Sequence, residues 1–347
     1  MSGVSKAIVQ PLLDWYDAGH RDLPWRSEPA PYRVWVSEIM LQQTRVEAVR
    51  SYFSRWMNAL PDIPALAAAD EAVYTKLWEG LGYYSRVRNL HRAAVLLCEE
   101  YGGELPADYD RLLALPGVGE YTAGAVASIA FGLPIPAVDG NVLRVAARLD
   151  NDFTPITDAK FKKQTRERFA ALMPSDRPGD LNQSLMELGA TVCLPNGAPR
   201  CADCPIQHLC EGFHRGNAAV LPLRAAKKAR RVEKRTVLVV RCGQLVGLRQ
   251  RPKKGLLAGL WELPSLDGHL SPDELRAVLT EMGWSVRKLL SLRPARHIFT
   301  HVEWHMNGVY VELDAPAPAL TFVTPAELRD AYALPSAFRS FVSVLED

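Results

Sequence analysis

The stretch Leu115–Leu149, LPGVGEYTAGAVASIAFGLPIPAVDGNVLRVAARL, decides how this chain is read. Its first five residues, Leu115-Pro116-Gly117-Val118-Gly119, form a tight turn between two helical patterns. Gly117 and Gly119 tolerate positive φ and bring backbone N–H groups to the surface. The helix beginning near Glu120 points its N-terminus over that turn, a place that suits a phosphate. Further on, Pro136-Ala137-Val138-Asp139-Gly140-Asn141-Val142 sets Asp139 immediately ahead of a second helix. A turn built for a nucleic-acid backbone, followed by a carboxylate, suggests chemistry on a nucleotide. Each feature alone also has an ordinary explanation: Asp is a favoured N-cap, and glycines mark common turns.

The 347 residues suggest about two domains. With 48% hydrophobic and 23% charged residues, the composition is that of a globular protein. A net charge of +2 does not by itself imply nucleic acid; where the charge lies matters more. The N-terminal MSGVSKAIVQPLLDWYD has no apolar core long enough for a signal peptide. The longest uncharged run, Tyr121 to Val138, contains Pro134 and Pro136 and reads as a buried helix plus a loop, not a membrane span. Of six cysteines, Cys98 and Cys242 stand alone, while Cys193-x7-Cys201-x2-Cys204-x5-Cys210 form a cluster. Without a secretory signal this implies a reducing compartment and a metal or cluster site. Spacing alone does not separate zinc from iron–sulfur. Four cysteine ligands leave no open position, so the site reads as structural.

The chain opens with helical spacing at Ile8, Leu12, Leu13, Trp15 and Tyr16. Arg21 and Arg26 then flank Trp25, which suits phosphate or base contacts, or else solvated arginines around a packed Trp. Pro31 to Met57 reads as an amphipathic helix through Val36, Ile39, Met40, Val46 and Val49. Glu38 falls near its apolar side. Burial there raises a carboxyl pKa, which is what a general acid near neutral pH needs. The competing explanation is an acid in the first helical turn. Leu66 to Trp78 is a further helix. Glu79 to Leu90 interleaves Tyr83 and Tyr84 with Arg86 and Arg88, a pattern for stacking on bases and pairing with phosphates, or for core tyrosines beside solvated arginines. A charged helix, Ala159–Met173, and Asp180–Val192 lead to the cysteines. The run RAAKKARRVEKR, Arg224 to Arg235, reads as a basic tether that also suits phosphates. Beyond it the period becomes alternating. Strands are expected at Val237–Arg241 and Gln244–Arg249, near Val286–Leu292 and at Trp304–Leu313, with a helix at Asp273–Met282. This makes a separate α+β domain.

Taken in order, SEIMLQQT, GLGYYSRVRNL, LPGVGEYTAG, VDGNV, the four cysteines, GLLAGLWELP and HIFTH form a specific series. The chain resembles the MutY-type adenine DNA glycosylases of the helix–hairpin–helix superfamily from about residue 20 to 345. The resemblance implies a multidomain protein: an all-α helix–hairpin–helix glycosylase domain with a [4Fe–4S] cluster loop, then an α+β Nudix-like domain. The expected boundaries are a catalytic domain over 1–213, a basic linker over 214–234, and an 8-oxoguanine recognition domain over 235–347. Within the first, a six-helix module spans about 30–134, and 1–29 with 135–213 form the cluster-bearing module.

The resemblance also implies a reaction: adenine opposite 8-oxoguanine or guanine in double-stranded DNA is flipped out and released in base excision repair. Glu38 matches the acid that protonates the leaving adenine. Asp139 matches the carboxylate that stabilises the sugar cation and handles the incoming water. Tyr121 and Asn141 support them. Gln43 and Tyr83 match residues wedged into the duplex, and Phe299, Thr300 and His301 fall on the loop that reads 8-oxoguanine. Arg21, Arg26, Arg86, Gly117, Val118 and Gly119 complete the expected DNA contacts. Cys193, Cys201, Cys204 and Cys210 would carry the cluster. A cytoplasmic monomer is expected, nucleoid-associated if bacterial, with no membrane contact.

Three features depart from the family. The first cysteine gap holds seven residues where six are usual, and Thr300 stands where Ser is usual. The segment 274–283 lacks the several glutamates of a Nudix hydrolase, so magnesium-dependent pyrophosphate hydrolysis is not expected. Rival readings are an endonuclease III-type lyase, which needs a lysine amine where this chain has Tyr121, a non-catalytic lesion sensor, and a nucleotide-pool hydrolase.

Overall fold

The computed structural model describes residues 5–195, 197–224 and 229–345. Lys227 and Lys228 of the basic run, and Asn196 in the first cysteine gap, lie outside the described residues. The chain divides into two compact units, one of 1–68 with 89–226, the other of 69–88 with 227–347.

The helices begin with α1 (Val9–Gly19), α2 (Pro31–Leu41), α3 (Val46–Ala59) and α4 (Ile63–Ala67). α5 (Glu71–Leu77) belongs to the second unit, and α6 (Ser85–Tyr101) starts there and ends in the first. α7 (Tyr109–Ala114), α8 (Glu120–Phe131), α9 (Gly140–Leu149), α10 (Ala159–Ala170), α11 (Pro178–Thr191) and α12 (Glu211–His214) complete the first unit. The single helix expected from Pro31 to Met57 is therefore two. Its apolar period continues, but Gln43 takes φ 56° and Thr44 N–H closes a turn onto the Leu41 carbonyl at 3.2 Å. The helix expected from Leu66 to Trp78 likewise splits into α4 and α5.

Helix α9 is the buried centre of the first unit. Val142, Leu143, Val145, Ala146 and Leu149 share one core with Leu181, Leu185 and Leu188 of α11 and Leu12 of α1. α11 reaches α9 closely because residue 189 is glycine; a Cβ there would lie 2.5 Å from the Asn141 Cβ. The α7–α8 turn is equally tight. Gly117 has φ 76°, and a Cβ there would lie 2.5 Å from the Asn89 Cβ, so both conformation and space demand glycine.

The second unit carries β1 (Arg231–Cys242), β2 (Leu245–Gln250), β3 (Trp261–Glu262), β4 (Ser265–Asp267), β5 (Val286–Ser291), β6 (Ala295–Ile298), β7 (Val302–Leu313) and β8 (Thr321–Val323). Its remaining helices are α13 (Pro272–Glu281), α14 (Pro325–Ala331) and α15 (Arg339–Val342). The sheet runs β3-β2-β1-β7-β5, with β4 on β1, β6 on β7 and β8 on β2. β1 and β7 are parallel, from Arg231 opposite Val302 to Arg241 opposite Glu312. The central β1 is covered on both faces, which explains its unbroken apolar run. Val237 and Val239 pack with Trp304 and Phe338, and Leu238 and Val240 with Leu275, Leu279 and Trp284. The basic run is strand from Arg231 onward, because those residues pair with β7. Among the described residues no helix is long and apolar enough to cross a membrane.

Candidate active site

Glu38 lies in the second half of α2, not in its first turn, so capping does not account for it. Its neighbours Val34, Trp35, Val36, Ile39 and Met40 are buried, and Glu38 itself is only 5% exposed. Burial disfavours its charged form and pushes its pKa up to about 7, with nearby Asp139 adding to the rise. The Tyr121 hydroxyl donates to Glu38 Oε2 at 2.5 Å and, with the charge of Arg26, opposes it. The carboxyl thus changes state near neutrality.

Asp139 is the N-cap of α9 and accepts from Val142 N–H at 2.8 Å. Its other oxygen accepts from Asn141 Nδ2 at 2.6 Å. Capping and chemistry are compatible here, since both require an ionised acceptor. Burial raises the pKa of Asp139, but the hydrogen bonds from Val142 and Asn141 and the charge of Arg144 oppose that. Arg144 in turn donates to Asn141 Oδ1 at 2.8 Å and to the Gly189 and Cys193 carbonyls, which fixes the amide facing Asp139. The loop before Asp139 is held from α11. Asn182, fully buried, accepts from Ala137 N–H at 2.9 Å and donates to the Ile135 carbonyl and to Ser128 Oγ.

Glu38 and Asp139 open onto one cleft of about 670 Å³, within the usual size of a ligand site. Arg21, Arg26, Gln43, Gly117, Gly119, Tyr121 and Asn141 line it as well, so nine residues singled out in the sequence converge there. Val118 is not among the lining residues. Its side chain is buried, and its N–H donates to the Leu115 carbonyl at 3.1 Å. Trp25, flagged in the sequence between Arg21 and Arg26, lines it too, and the structure adds Gln183 and Met186, which the sequence reading missed. Gln183, Met186 and Ala190 recur along one face of α11. Gln183 is one of several polar residues on α11, so nothing in the sequence marked it.

The remaining candidates belong to the second unit. Tyr83 takes φ 47°, is 45% exposed, and shares a 2.8 Å hydrogen bond with Thr300 Oγ1. A non-glycine residue at positive φ stores strain that its surroundings must offset. Arg86 supplies part of that support. It is buried, stacks on Trp78, and donates to the Leu81 and Gly82 carbonyls. Phe299, Thr300 and His301 form the turn between β6 and β7. Phe299 packs on buried Trp304, its N–H donates to the Val302 carbonyl, and the His301 carbonyl accepts from Arg231 N–H. Thr300 and His301 are exposed.

The four clustered cysteines line a common pocket walled by Val145, Leu149, Leu188 and Val192. Arg148 donates to Cys193 Sγ at 3.1 Å, and Cys210 Sγ donates to the Arg148 carbonyl at 3.4 Å. Burial pushes the Cys204 thiol up to about 12. Among the described residues no group of three or more His, Cys, Asp or Glu forms a single-ion site. An all-thiol donor set ringing an apolar pocket has the chemistry an iron–sulfur cluster would need.

Comparison with known proteins agrees with this geometry. Residues 36–172 match the family model described as HhH-GPD superfamily base excision DNA repair protein, and residues 236–344 match the NUDIX domain model. The chain is 38% identical to the adenine DNA glycosylase of Mus musculus, over 97% of its own length and 77% of that protein's. It is 35% identical to the adenine DNA glycosylase of Homo sapiens, over 92% and 70%. Among solved structures, a thermostable thymine-DNA glycosylase superposes with a TM-score of 0.54 at 27% identity, over 60% of this chain and 96% of that one. A helical glycosylase fold followed by a Nudix-like sheet domain, with near-full-length identity of this order, makes the chain a member of the adenine DNA glycosylase family of base excision repair.

Proposed function

We propose that the chain removes adenine paired with 8-oxoguanine or guanine in duplex DNA, as a monofunctional glycosylase acting through Glu38 and Asp139. The observation that carries this is their opening onto one cleft with different partners: burial raises both pKa values, that of Glu38 to about 7, while hydrogen bonds from Val142 and Asn141 hold back the rise of Asp139. That division of roles is the one glycosidic cleavage needs. Flipping adenine out of the stack costs a few kcal/mol, which the wedge residues Gln43 and Tyr83 and backbone contacts near Gly117 and Gly119 offset. Glu38 gives its proton to a ring nitrogen as the N-glycosidic bond breaks and its electron pair goes to the base. Asp139 stabilises the sugar cation. Water then bonds to the anomeric carbon and its proton passes to Asp139. Tyr121 orients Glu38, and Asn141 orients Asp139.

The cleft lining contains no lysine, and Tyr121 occupies the hairpin position where a lyase needs an amine. Phe299, Thr300 and His301 present the lesion-reading surface. On α13, Ser271 is the N-cap and Glu274 accepts from the Ser271 N–H in a capping box. Cys193, Cys201, Cys204 and Cys210 would hold a [4Fe–4S] cluster, which supplies a covalent cross-link of their loop. The protein acts as a cytoplasmic monomer.

Single-turnover adenine release from an 8-oxoguanine:adenine duplex, with borohydride present, tests this reading. Release without trapped protein–DNA adduct is expected. Adduct formed in step with base release, or no release at all, would refute it.

A further inference from the structure

Glu187 lies on α11, four residues beyond Gln183, and is 2% exposed. No feature of the sequence marked it. A buried carboxylate is costly unless it is paired and hydrogen-bonded, and Glu187 is fully engaged. Its Oε1 accepts from Arg21 Nε at 2.6 Å and from Arg21 N–H at 3.2 Å. Its Oε2 accepts from Arg21 Nη2 at 2.9 Å and from Arg26 Nη2 at 2.8 Å. Arg26 also donates to the Arg21 carbonyl and lies over the Tyr16 ring. Both arginines line the cleft that holds Glu38 and Asp139, whereas Glu187 is not among its lining residues. One carboxylate therefore anchors the whole 21–26 segment from behind.

We propose that Glu187 is a positioning residue: it fixes the guanidinium groups of Arg21 and Arg26 on the cleft wall, where they receive the departing purine. The inference rests on reading the cleft as the base pocket. The chemistry supports it in two ways. When the glycosidic bond breaks, its electrons move onto the purine, and preorganised cations beside the leaving group stabilise that charge. A guanidinium fork also matches the ring-nitrogen acceptors of a purine edge, provided its plane is held. Free arginine side chains would lose that orientation, and a displacement of about 1 Å is enough to cost roughly 10²-fold in rate. Arg26 also opposes the rise in the Glu38 pKa, so its position bears on the acid.

The test compares the parent with Glu187→Gln, Glu187→Asp, Arg26→Ala and the Glu187→Gln/Arg26→Ala double variant. Single-turnover adenine release, affinity for an uncleavable duplex, and the pH–rate profile are measured for each. Glu187→Gln is expected to slow release by roughly 10- to 100-fold, with duplex affinity close to the parent's and some loss of Tm from the broken ion pairs. Its pH limb for the acid moves upward as Arg26 leaves Glu38. Glu187→Asp restores part of the rate. On the Arg26→Ala background the further loss is much smaller than on the parent. An unchanged Glu187→Gln rate with an active parent overturns the clamp alone. So do fully additive losses in the double variant, or losses in both Glu187 variants that track lowered Tm with an unmoved pH profile. A parent inactive on the duplex overturns the reading of the cleft as well.

Discussion

The cleft of the first unit and the Tyr83–Thr300 surface of the second solve opposite physical problems. In and behind the cleft, carboxylates are drawn away from water and held by hydrogen bonds, Glu38 and Glu187 by partners far away in the chain and Asp139 by its own helix start. Glu38 meets Tyr121, Asp139 meets Asn141, and Glu187 meets Arg21 and Arg26. On the second unit Tyr83, Thr300 and His301 are exposed and sit on a tight β6–β7 turn and a strained loop, with Arg86 and Phe299 packed behind them. Proton transfer needs a desolvated acid whose pKa is raised. Recognition of a duplex lesion needs hydroxyls and rings that reach outward. The contrast teaches that burial alone is a poor guide to importance: it marks the residues proposed for the chemistry and misses those proposed for reading the lesion.

The sharpest way to break this contrast is Glu38→Gln. If burial makes Glu38 the acid, removing its proton lowers single-turnover base release by about 10²- to 10⁴-fold. The parent rate falls as pH rises through about 7, where Glu38 loses its proton. A variant as fast as the parent, or a flat alkaline limb, removes the assignment.

The same burial has a thermodynamic sign. The folded pKa of Glu38 is raised, so its stabilising contribution is complete below the ordinary glutamate value and is lost as pH rises through about 7. Glu38→Gln is therefore expected to be more stable than the parent at pH 8 by about 3 kcal/mol. The difference shrinks toward pH 4. Urea unfolding at the two pH values measures it, and equal gaps at both would break the link between burial and charge.

The smallest effect lies on the exposed side. Thr300→Val removes the partner of the Tyr83 hydroxyl and keeps the side-chain shape. The expected cost is about 1 kcal/mol or less, read as a reduced preference for 8-oxoguanine over guanine opposite adenine with the chemical step unchanged. A change in the chemical step instead would merge the two regions that the comparison separates.

Much of this was legible before folding. Gly117, Asp139 and the cysteine spacing mark local events: a turn, a cap, a loop of thiols. Such signals depend on a few adjacent residues. Pro31–Met57 was not legible as two helices, because the apolar period runs on while the backbone from Gln42 to Arg45 leaves the helical conformation. The last part of the basic run was not legible as strand. Its residues carry charge, and their pairing with β7 is set by partners some seventy positions away. Glu187 was invisible for the same reason, since a glutamate on an amphipathic helix is ordinary until two arginines arrive from the other end of the domain.

The order of motifs, their glycines and their acids determined the family, the helical and sheet-bearing halves, and which residue types were available for chemistry. Only the tertiary structure decided that Glu38 is dry enough to hold a proton at neutral pH, that Asp139 keeps hydrogen bonds suited to its ionised form, and that both open onto a shared cleft. The reason is physical. Composition and spacing specify what a side chain is, while its proton affinity is set by the solvent and charges excluded or admitted around it. Those depend on segments that meet only in the folded chain.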